Sequence, residues 1–368
     1  MAGIKKKELE LYIHIPFCIK KCLYCDFLSA PSSTEERQEY VTGLCRQIRS
    51  YCGLAKAYHV VSIFVGGGTP SILEKDQILA VFDAVRDTFL VDGDAEVTIE
   101  VNPGAVTEEK LGAYRKAGIN RLSIGLQSAE NEELRRLGRI HTYEDFLDTF
   151  RLARGMGFQN INVDLMSAIP GQRLAGWEET LRKAAELRPE HISAYSLIIE
   201  EGTPFYERYG EGRHAGELPD EEEERQMYRK TLEVLKEYGY RRYEISNYAL
   251  PGYACRHNLG YWNRTEYLGI GTGAASLVEN RRWNFGEEPV SLSVQEQMEE
   301  CMFLGLRKME GVSKARFQET FGRKMEDLYG EVLKKMFGIG LMEETEGFVR
   351  LTERGIDVSN GVMSEFLF

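Results

Sequence analysis

The sequence predicts a parallel α/β fold built from repeated strand–helix units, followed by a smaller helical tail. Three observations lead there. Short β-branched and aromatic runs alternate with amphipathic segments over the first 200 residues, and Gly and Pro punctuate the junctions. That alternation then fades after about residue 205.

Six runs read as buried strands: Leu9–Ile15, Val60–Val65, Glu96–Val101, Arg121–Gly125, Asn160–Met166 and His191–Ile198. Each is shorter than ten residues and rich in strand formers, which favours strand over helix. Between them, Glu35–Tyr51, Lys75–Phe89, Glu108–Ala117, Tyr143–Met156 and Gly176–Leu187 carry apolar residues at three- and four-residue spacing. Right-handed parallel units follow from this order. Periodicity does not choose between an open doubly wound sheet and part of a barrel. Either way, function is expected at the C-terminal ends of the strands.

Beyond residue 205 the charge run Glu221–Arg225 opens a solvated amphipathic helix to Tyr238, with Asp220 as its N-cap. Residues 241–285 are rich in Tyr, Trp, Asn and Gly and read as irregular structure or short strands. From about 290 there are two or three helices, then a small β-ribbon at Gly340–Leu351, a winged-helix-like tail. The expected divisions are 1–205, a connecting region 206–290, and 291–368.

Composition narrows the function. With 43% apolar and 28% charged residues the chain is an ordinary globular protein, and its net charge of −12 disfavours nucleic acid as a partner. The winged tail has no excess of basic residues, so a docking role is favoured there over DNA binding. No apolar run is long enough to span a bilayer. The basic opening Lys5-Lys6-Lys7 is followed by Glu8-Leu9-Glu10, not by the apolar stretch of a secretory leader. A cytoplasmic location is expected, with membrane contact only through a client. Acidic surface and scattered aromatics fit a monomer or a homodimer.

Three of the seven cysteines fall within eight residues, Cys18, Cys22 and Cys25, directly after the first strand. This pattern favours metal over disulfides. In C-x3-C-x2-C spacing, three thiolates can hold three corners of an iron–sulfur cube and leave one iron open. Zinc is the rival, but a structural zinc site wants a fourth protein ligand; His14 is the nearby candidate, within the predicted strand. Lys20, Lys21 and Asp26 interleave the cysteines and suit an exposed loop. After the second strand, Gly66-Gly67-Gly68-Thr69-Pro70 lets backbone approach a ligand closely. Glu100, Gln127 and Asp164 place polar groups on the same rim.

The cysteine loop, with Tyr24 before Cys25, resembles the signature of the radical S-adenosylmethionine (SAM) superfamily. The resemblance covers most of the chain and implies a partial (β/α)6 barrel with a 4Fe–4S cluster on Cys18, Cys22 and Cys25. In that superfamily SAM chelates the open iron, and reduction of the cluster cleaves it to methionine and a deoxyadenosyl radical. By similarity to oxygen-independent coproporphyrinogen oxidases and their relatives, Tyr12, Tyr24, Gly67, Gly68, Thr69, Glu100, Gln127, Arg139 and Asp164 would line SAM. Ile198 would touch the adenine. The forked donors of Arg139 would suit the SAM carboxylate.

The oxidase branch carries a fourth cysteine two residues past the third, where this chain has Phe27, and a longer N-terminal extension. Cys25-Asp26-Phe27 instead resembles the heme chaperone branch. So does His257-Asn258-Leu259-Gly260-Tyr261-Trp262, which matches a motif associated there with heme. The resemblance implies heme contacts from His257, Asn258, Tyr261 and Trp262, with Cys255 as an alternative ligand. It also implies an acceptor hemoprotein as partner, a respiratory enzyme being expected. The glycine-rich Gly269–Ser276 is expected to close the far side of the pocket, and Cys45, Cys52 and Cys301 to be packing residues. The competing reading is an enzyme that turns the radical on a porphyrin, as an oxidase or a heme-degrading enzyme.

Overall fold

The computed structural model describes residues 6–367; residues 1–5, including Lys5 of the basic opening, and residue 368 lie outside the described residues. Strand and helix alternate through the first two hundred positions. β1 (Lys7–Ile15) leads to α1 (Thr34–Ser50), β2 (Tyr58–Gly67), α2 (Lys75–Thr88), β3 (Val91–Val101), α3 (Glu108–Ala117) and β4 (Arg121–Gln127). Then come α4 (Asn131–Arg136), α5 (Tyr143–Gly155), β5 (Ile161–Ser167), α6 (Leu174–Glu186) and β6 (His191–Ser196). The six strands pair in chain order and all in parallel, as the units of a partial barrel. Each lies where the sequence predicts it, although β6 ends before Ile198.

The strands alternate more sharply than strands packed on both faces usually do. Leu9, Leu11, Ile13, Ile63, Val65, Ile99, Leu122 and Ile124 are buried in the main apolar core with the flanking helices. The intervening positions carry Glu10, Ser62, Glu96, Arg121, Asn162 and His191, buried on the concave face. That face therefore has a polar interior whose groups must satisfy one another.

After α7 (Pro204–Tyr209) comes α8 (Glu221–Glu237), where the Asp220 side chain accepts the Glu223 N–H at 2.8 Å. The residues expected to connect the two ends of the chain also supply strands to both edges of the sheet. β7 (Arg241–Glu244) and β8 (Asn247–Ala249) extend it antiparallel beyond β6. α9 (Arg256–Trp262) crosses to the other edge. There β9 (Tyr267–Ile270) pairs parallel with β1, and β10 (Ala275–Val278), β11 (Arg281–Asn284) and β12 (Val290–Ser291) follow antiparallel, giving a sheet of twelve strands among the described residues.

The tail packs α10 (Val294–Gly305), β13 (Val312–Ser313), α11 (Lys314–Phe321), α12 (Met325–Gly338) and the hairpin β14 (Met342–Thr345)–β15 (Phe348–Leu351) around its own core, including Met302, Phe317 and Val349. It is the predicted helical unit with a ribbon. Arg242 to Glu353 at 2.7 Å and Arg229 to Asp357 at 3.0 Å tie it to the barrel.

α9 closes the end of the barrel opposite the C-terminal strand ends. Glu96 of β3 accepts the Cys255 thiol at 3.2 Å and the N–H groups of Arg256 and His257 at 3.1 and 3.2 Å. A carboxylate thus caps the N-terminus of a helix whose first turn has no other partners for those donors. Further along, Gly260 lies against Glu10 so closely that a Cβ would overlap its carboxyl. Burial pushes the Glu10 pKa up to about 9, and the nearby carboxylates Glu96 and Glu8 add to the rise while Ser62 opposes it. Gly260→Ala should therefore destabilise the protein by roughly 1–3 kcal/mol in urea unfolding, despite alanine's better helix propensity. Adding Glu10→Ala should recover part of that loss, because it removes the obstructing carboxyl.

Candidate cluster and cofactor site

The C-terminal ends of β1–β6 open onto a cavity of 470 Å³, within the size range of small-ligand sites. Cys18, Cys22, Cys25, Tyr24, Gly67, Gly68, Thr69, Glu100, Gln127, Arg139, Asp164 and Ile198 all line it. The structure thus brings together almost the whole set named from the sequence.

The cysteine loop has no regular structure, yet its backbone is pinned on several sides. Cys18 N–H donates to Ala30 O at 3.0 Å, Thr69 N–H to Phe17 O at 2.7 Å and Leu23 N–H to Leu137 O at 3.1 Å. Leu23 and Tyr24 rest on a small core that includes Leu137, Met166 and Phe205. All three thiols are free. The Thr69 hydroxyl reaches Cys18 Sγ at 3.5 Å, and Arg139 Nη1 donates to Cys22 Sγ at 3.6 Å. Burial raises the Cys25 pKa, and the neighbouring Cys22 and Cys18 raise it further. Ionisation of Cys25 is therefore disfavoured until a cation is shared among the three sulfurs. Among the described residues, no three His, Cys, Asp or Glu side chains gather tightly enough for one metal ion. A cube that takes one thiolate at each of three corners asks for a wider spread, and a pinned loop of three thiols beside a guanidinium fits that group.

Arg139 donates from Nη2 to Asn102 Oδ1 and to Gly125 O, both at 3.0 Å. Fixed in that way, its charge stands permanently beside the cluster thiols. Gly67 has a left-handed φ of 116° and rests on the His14 ring, which a Cβ would strike. His14 itself is committed. One ring nitrogen shares a hydrogen bond with Leu28 O at 3.0 Å, the other with the Tyr12 hydroxyl at 3.0 Å. It anchors the chain leaving the cysteine loop and, so bonded, has no nitrogen to offer as a fourth ligand.

Glu100 and Asp164 face each other across the pocket floor. Glu100 accepts the Gly67 N–H at 3.1 Å; Asp164 accepts from Ser123 at 3.0 Å and Asn162 at 2.8 Å. Burial pushes the Glu100 pKa up to about 8, and Asp164 adds to the rise. Burial also raises Asp164, against the pull of its hydrogen bonds from Asn162 and Ser123. Gln127 holds a left-handed φ of 70° and accepts from the Tyr195 hydroxyl at 2.9 Å. A non-glycine residue in that conformation is strained, a feature that clusters at functional sites.

Other residues named from the sequence lie outside the pocket lining. Tyr12 lies deeper than the lining residues, with its hydroxyl on His14 and its ring stacked on Phe64 at 6.4 Å, so it supports the floor. Gly269–Ser276 braces the cysteine loop from behind and does not close the pocket: Tyr40 donates to His14 O at 2.8 Å and accepts the Thr272 N–H at 3.2 Å, while Gly273 lies against Leu28. Cys45 is buried on α1, but Cys52 lies past the helix end and is exposed.

The heme residues are placed differently from the expectation as well. His257 is buried in the barrel base, Nδ1 bonded to Ser62 Oγ at 2.8 Å and Nε2 to the Tyr261 hydroxyl at 3.1 Å. Burial, with Arg121 adding to it, lowers its pKa to about 3, so the ring is neutral. As folded, it has no lone pair free for an iron. Asn258 and Tyr261 belong to the same plug, and the Cys255 thiol is spent on Glu96. Of the four residues, Trp262 lines a cavity, on the far side of the base. The sequence reading also passed over Ser123 and Tyr195, which line the cofactor pocket. Period-two alternation from Gly125 and Ser193 would have found both.

A parallel partial barrel with three thiols, a glycine bend and two acids at its C-terminal rim defines a radical SAM protein. Residues 12–184 match the family model of the radical SAM superfamily, and residues 292–358 match that of the HemN C-terminal domain. The chain is 37% identical to the heme chaperone HemW of Bacillus subtilis (strain 168), covering 97% of this chain and 98% of the relative. To the HemW of Escherichia coli (strain K12) it is 41% identical, over 75% of this chain and 71% of the relative. The chain belongs to the HemW family of radical SAM proteins. Among solved structures, the fold matches the Escherichia coli coproporphyrinogen III oxidase HemN, a radical SAM enzyme, with a TM-score of 0.85 at 23% identity, covering 99% of this chain and 91% of that one.

The raised Glu100 carboxyl has a pH consequence. Between its ordinary pKa of 4.5 and about 8, the folded cluster-free protein keeps a proton that the unfolded chain has released. Stability therefore falls as pH rises through that window. Glu100→Gln should flatten the decline between pH 6 and pH 8.5 in urea unfolding of cluster-free protein. Parallel curves for wild type and variant would contradict the assignment.

Proposed function

We propose that this protein binds heme and passes it to an acceptor hemoprotein, a respiratory enzyme being the expected client. The observation that carries this is end-to-end similarity to HemW chaperones, 37% over 97% of the chain. Phe27 supports it: where the oxidase branch has a fourth cysteine, an apolar ring stands 60% exposed at the pocket mouth.

Cys18, Cys22 and Cys25 would hold the 4Fe–4S cluster. Tyr24, Gly67, Gly68, Thr69, Glu100, Gln127, Arg139, Asp164 and Ile198 would surround SAM. When bound, the pair supplies one-electron chemistry; in a chaperone that chemistry regulates heme binding or release without converting a porphyrin. The protein's own residues set the conditions. Arg139 offsets thiolate charge, Glu100 and Asp164 supply acceptors for cationic and hydroxyl groups, and the sealed base leaves the rim as the way in.

Two measurements test this reading. Anaerobically reconstituted protein should retain heme stoichiometrically and release it to an apo-hemoprotein. The same preparation, given coproporphyrinogen III, SAM and a reductant, should yield no decarboxylated product by mass spectrometry. Multiple turnovers of porphyrin, or opening of the heme ring, would overturn the proposal in favour of an enzyme. For the cluster ligands, Cys22→Ala should bring bound iron and sulfide down to near background, whereas Cys52→Ala leaves both unchanged.

A further inference from the structure

At the rim, a directed chain of hydrogen bonds joins one cation to two of the three cluster thiols. The direct branch runs from Arg139 Nη1 to Cys22 Sγ at 3.6 Å. The second branch is a relay. Arg139 Nη2 donates to Asn102 Oδ1 at 3.0 Å, Asn102 Nδ2 to the Thr69 hydroxyl at 2.8 Å, and Thr69 to Cys18 Sγ at 3.5 Å. Polarity fixes each step. A guanidinium can only donate, so the Asn102 amide turns its oxygen to Arg139 and its nitrogen to Thr69. The Thr69 oxygen is then occupied as an acceptor, and its hydrogen is free for the sulfur.

The fold supplies these groups in order. Cys18 follows β1, Thr69 follows β2 and Asn102 follows β3, so the relay steps across neighbouring strand ends. Backbone bonds hold its middle members: Thr69 N–H donates to Phe17 O at 2.7 Å, and Asn102 N–H to Ser71 Oγ at 3.2 Å. At Gly125 a Cβ would stand 3.2 Å from Arg139 Nη2 and 3.7 Å from Asn102 Oδ1, so glycine leaves room for that pair. Cys25, the third sulfur, is met by the Phe27 backbone instead. Asn102 lines the pocket, yet both ends of its amide are spent within the protein. That marks it for positioning and not for contact with a ligand.

We propose that Asn102 is a positioning residue that carries the polarisation of Arg139 to Cys18, so that one cation stabilises charge on two cluster ligands and raises the reduction potential of the cluster. Hydrogen bonds to cluster sulfurs favour the more electron-rich state, and bonds in series strengthen one another. The step concerned is uptake of one electron from a low-potential reductant, with no bond made or broken. The inference rests on the cluster ligands proposed above.

The test is a redox titration of full-length, anaerobically reconstituted protein without SAM, using dithionite and viologen mediators. Electron paramagnetic resonance follows the reduced cluster, and iron and sulfide are counted first. Thr69→Val removes the hydroxyl at nearly constant volume. It should lower the reduced-to-oxidised ratio at a fixed potential about tenfold, equivalent to about 59 mV. Asn102→Leu leaves that hydroxyl on Cys18 but unpolarised, and should lower the ratio about threefold. Because the two act in series, the double variant should match Thr69→Val alone. Thr69→Ser keeps the hydroxyl and should titrate as wild type.

Unshifted potentials in Thr69→Val and Asn102→Leu would overturn the relay and leave cluster binding standing. Shifts that multiply in the double variant would do the same. Where Asn102→Leu holds no cluster, Asn102→Asp keeps the size and the bond to Arg139. Its carboxylate draws the Thr69 hydroxyl away from Cys18, so adding Thr69→Val should change nothing further; another tenfold fall there would overturn the relay. Wild type that takes up no iron or sulfide would overturn the cluster ligands and this inference together.

Discussion

Glu96 and the three donors it accepts from the start of α9 are the interaction on which the rest of the structure depends. A parallel sheet whose concave face carries Glu10, Ser62, Glu96, Arg121, Asn162 and His191 would flood with water if it were open at both ends. The Glu96 cap fixes α9 across the base, and His257 follows on the same turn to satisfy Ser62. Arg121, wholly buried, has Cys255, Glu96 and Tyr243 as the charges and dipoles that keep it protonated. Removing one member of such a set leaves the others uncompensated, so the network holds together or fails together.

With the base shut, the low-dielectric interior reaches up to the pocket floor, and this is why the acids there are perturbed. Glu100 sits where burial disfavours its charge, while a single backbone N–H from Gly67 pulls the other way. A cationic ligand group arriving beside it would restore the carboxylate. The rim above is organised by the opposite logic. Arg139 stays charged because Tyr24 and Cys22 favour its cation against the cost of burial. A fixed positive charge at the thiols and a proton-holding Glu100 at the floor give the pocket two differently prepared ends before anything binds.

The six strands were legible because β-branched runs on the convex face have no other use, and the cluster loop because three cysteines interleaved with Lys20, Lys21 and Asp26 cannot form a core. Depth was less legible. Period two places Tyr12 and His14 on the concave face, but nothing in the spacing says that Tyr12 lies below the pocket, with its hydroxyl on His14. The surroundings of the His257–Trp262 segment were hidden for a related reason. A histidine beside aromatics looks like a ligand set when its neighbours in the fold are unknown, and Glu10, Ser62 and Glu96 lie more than 150 residues away in sequence. The same distance hid the role of Gly260, which is small because a carboxyl from β1 approaches it.

The strands at the two edges of the sheet explain why the C-terminal unit sits where it does. An open sheet exposes unpaired backbone at its edges, and such edges are normally covered. On one side, β10–β12 turn antiparallel away from β9 and end in a very short strand. On the other, β7 is covered by the chain leaving α10: Glu244 bridges Lys308, Ile245 N–H donates to Arg307 O at 3.2 Å, and Met309 N–H donates to Tyr243 O at 3.0 Å. Residues 307–309 are therefore held by backbone bonds, and this fixes the start of the Arg307 and Lys308 side chains against the barrel base. Beside that edge pairing a cavity of 500 Å³ opens between the barrel base and the C-terminal unit, with Trp262 and Lys308 in its lining. Its cations come from both sides, Arg264 from the barrel and Lys308 and Arg316 from the C-terminal unit.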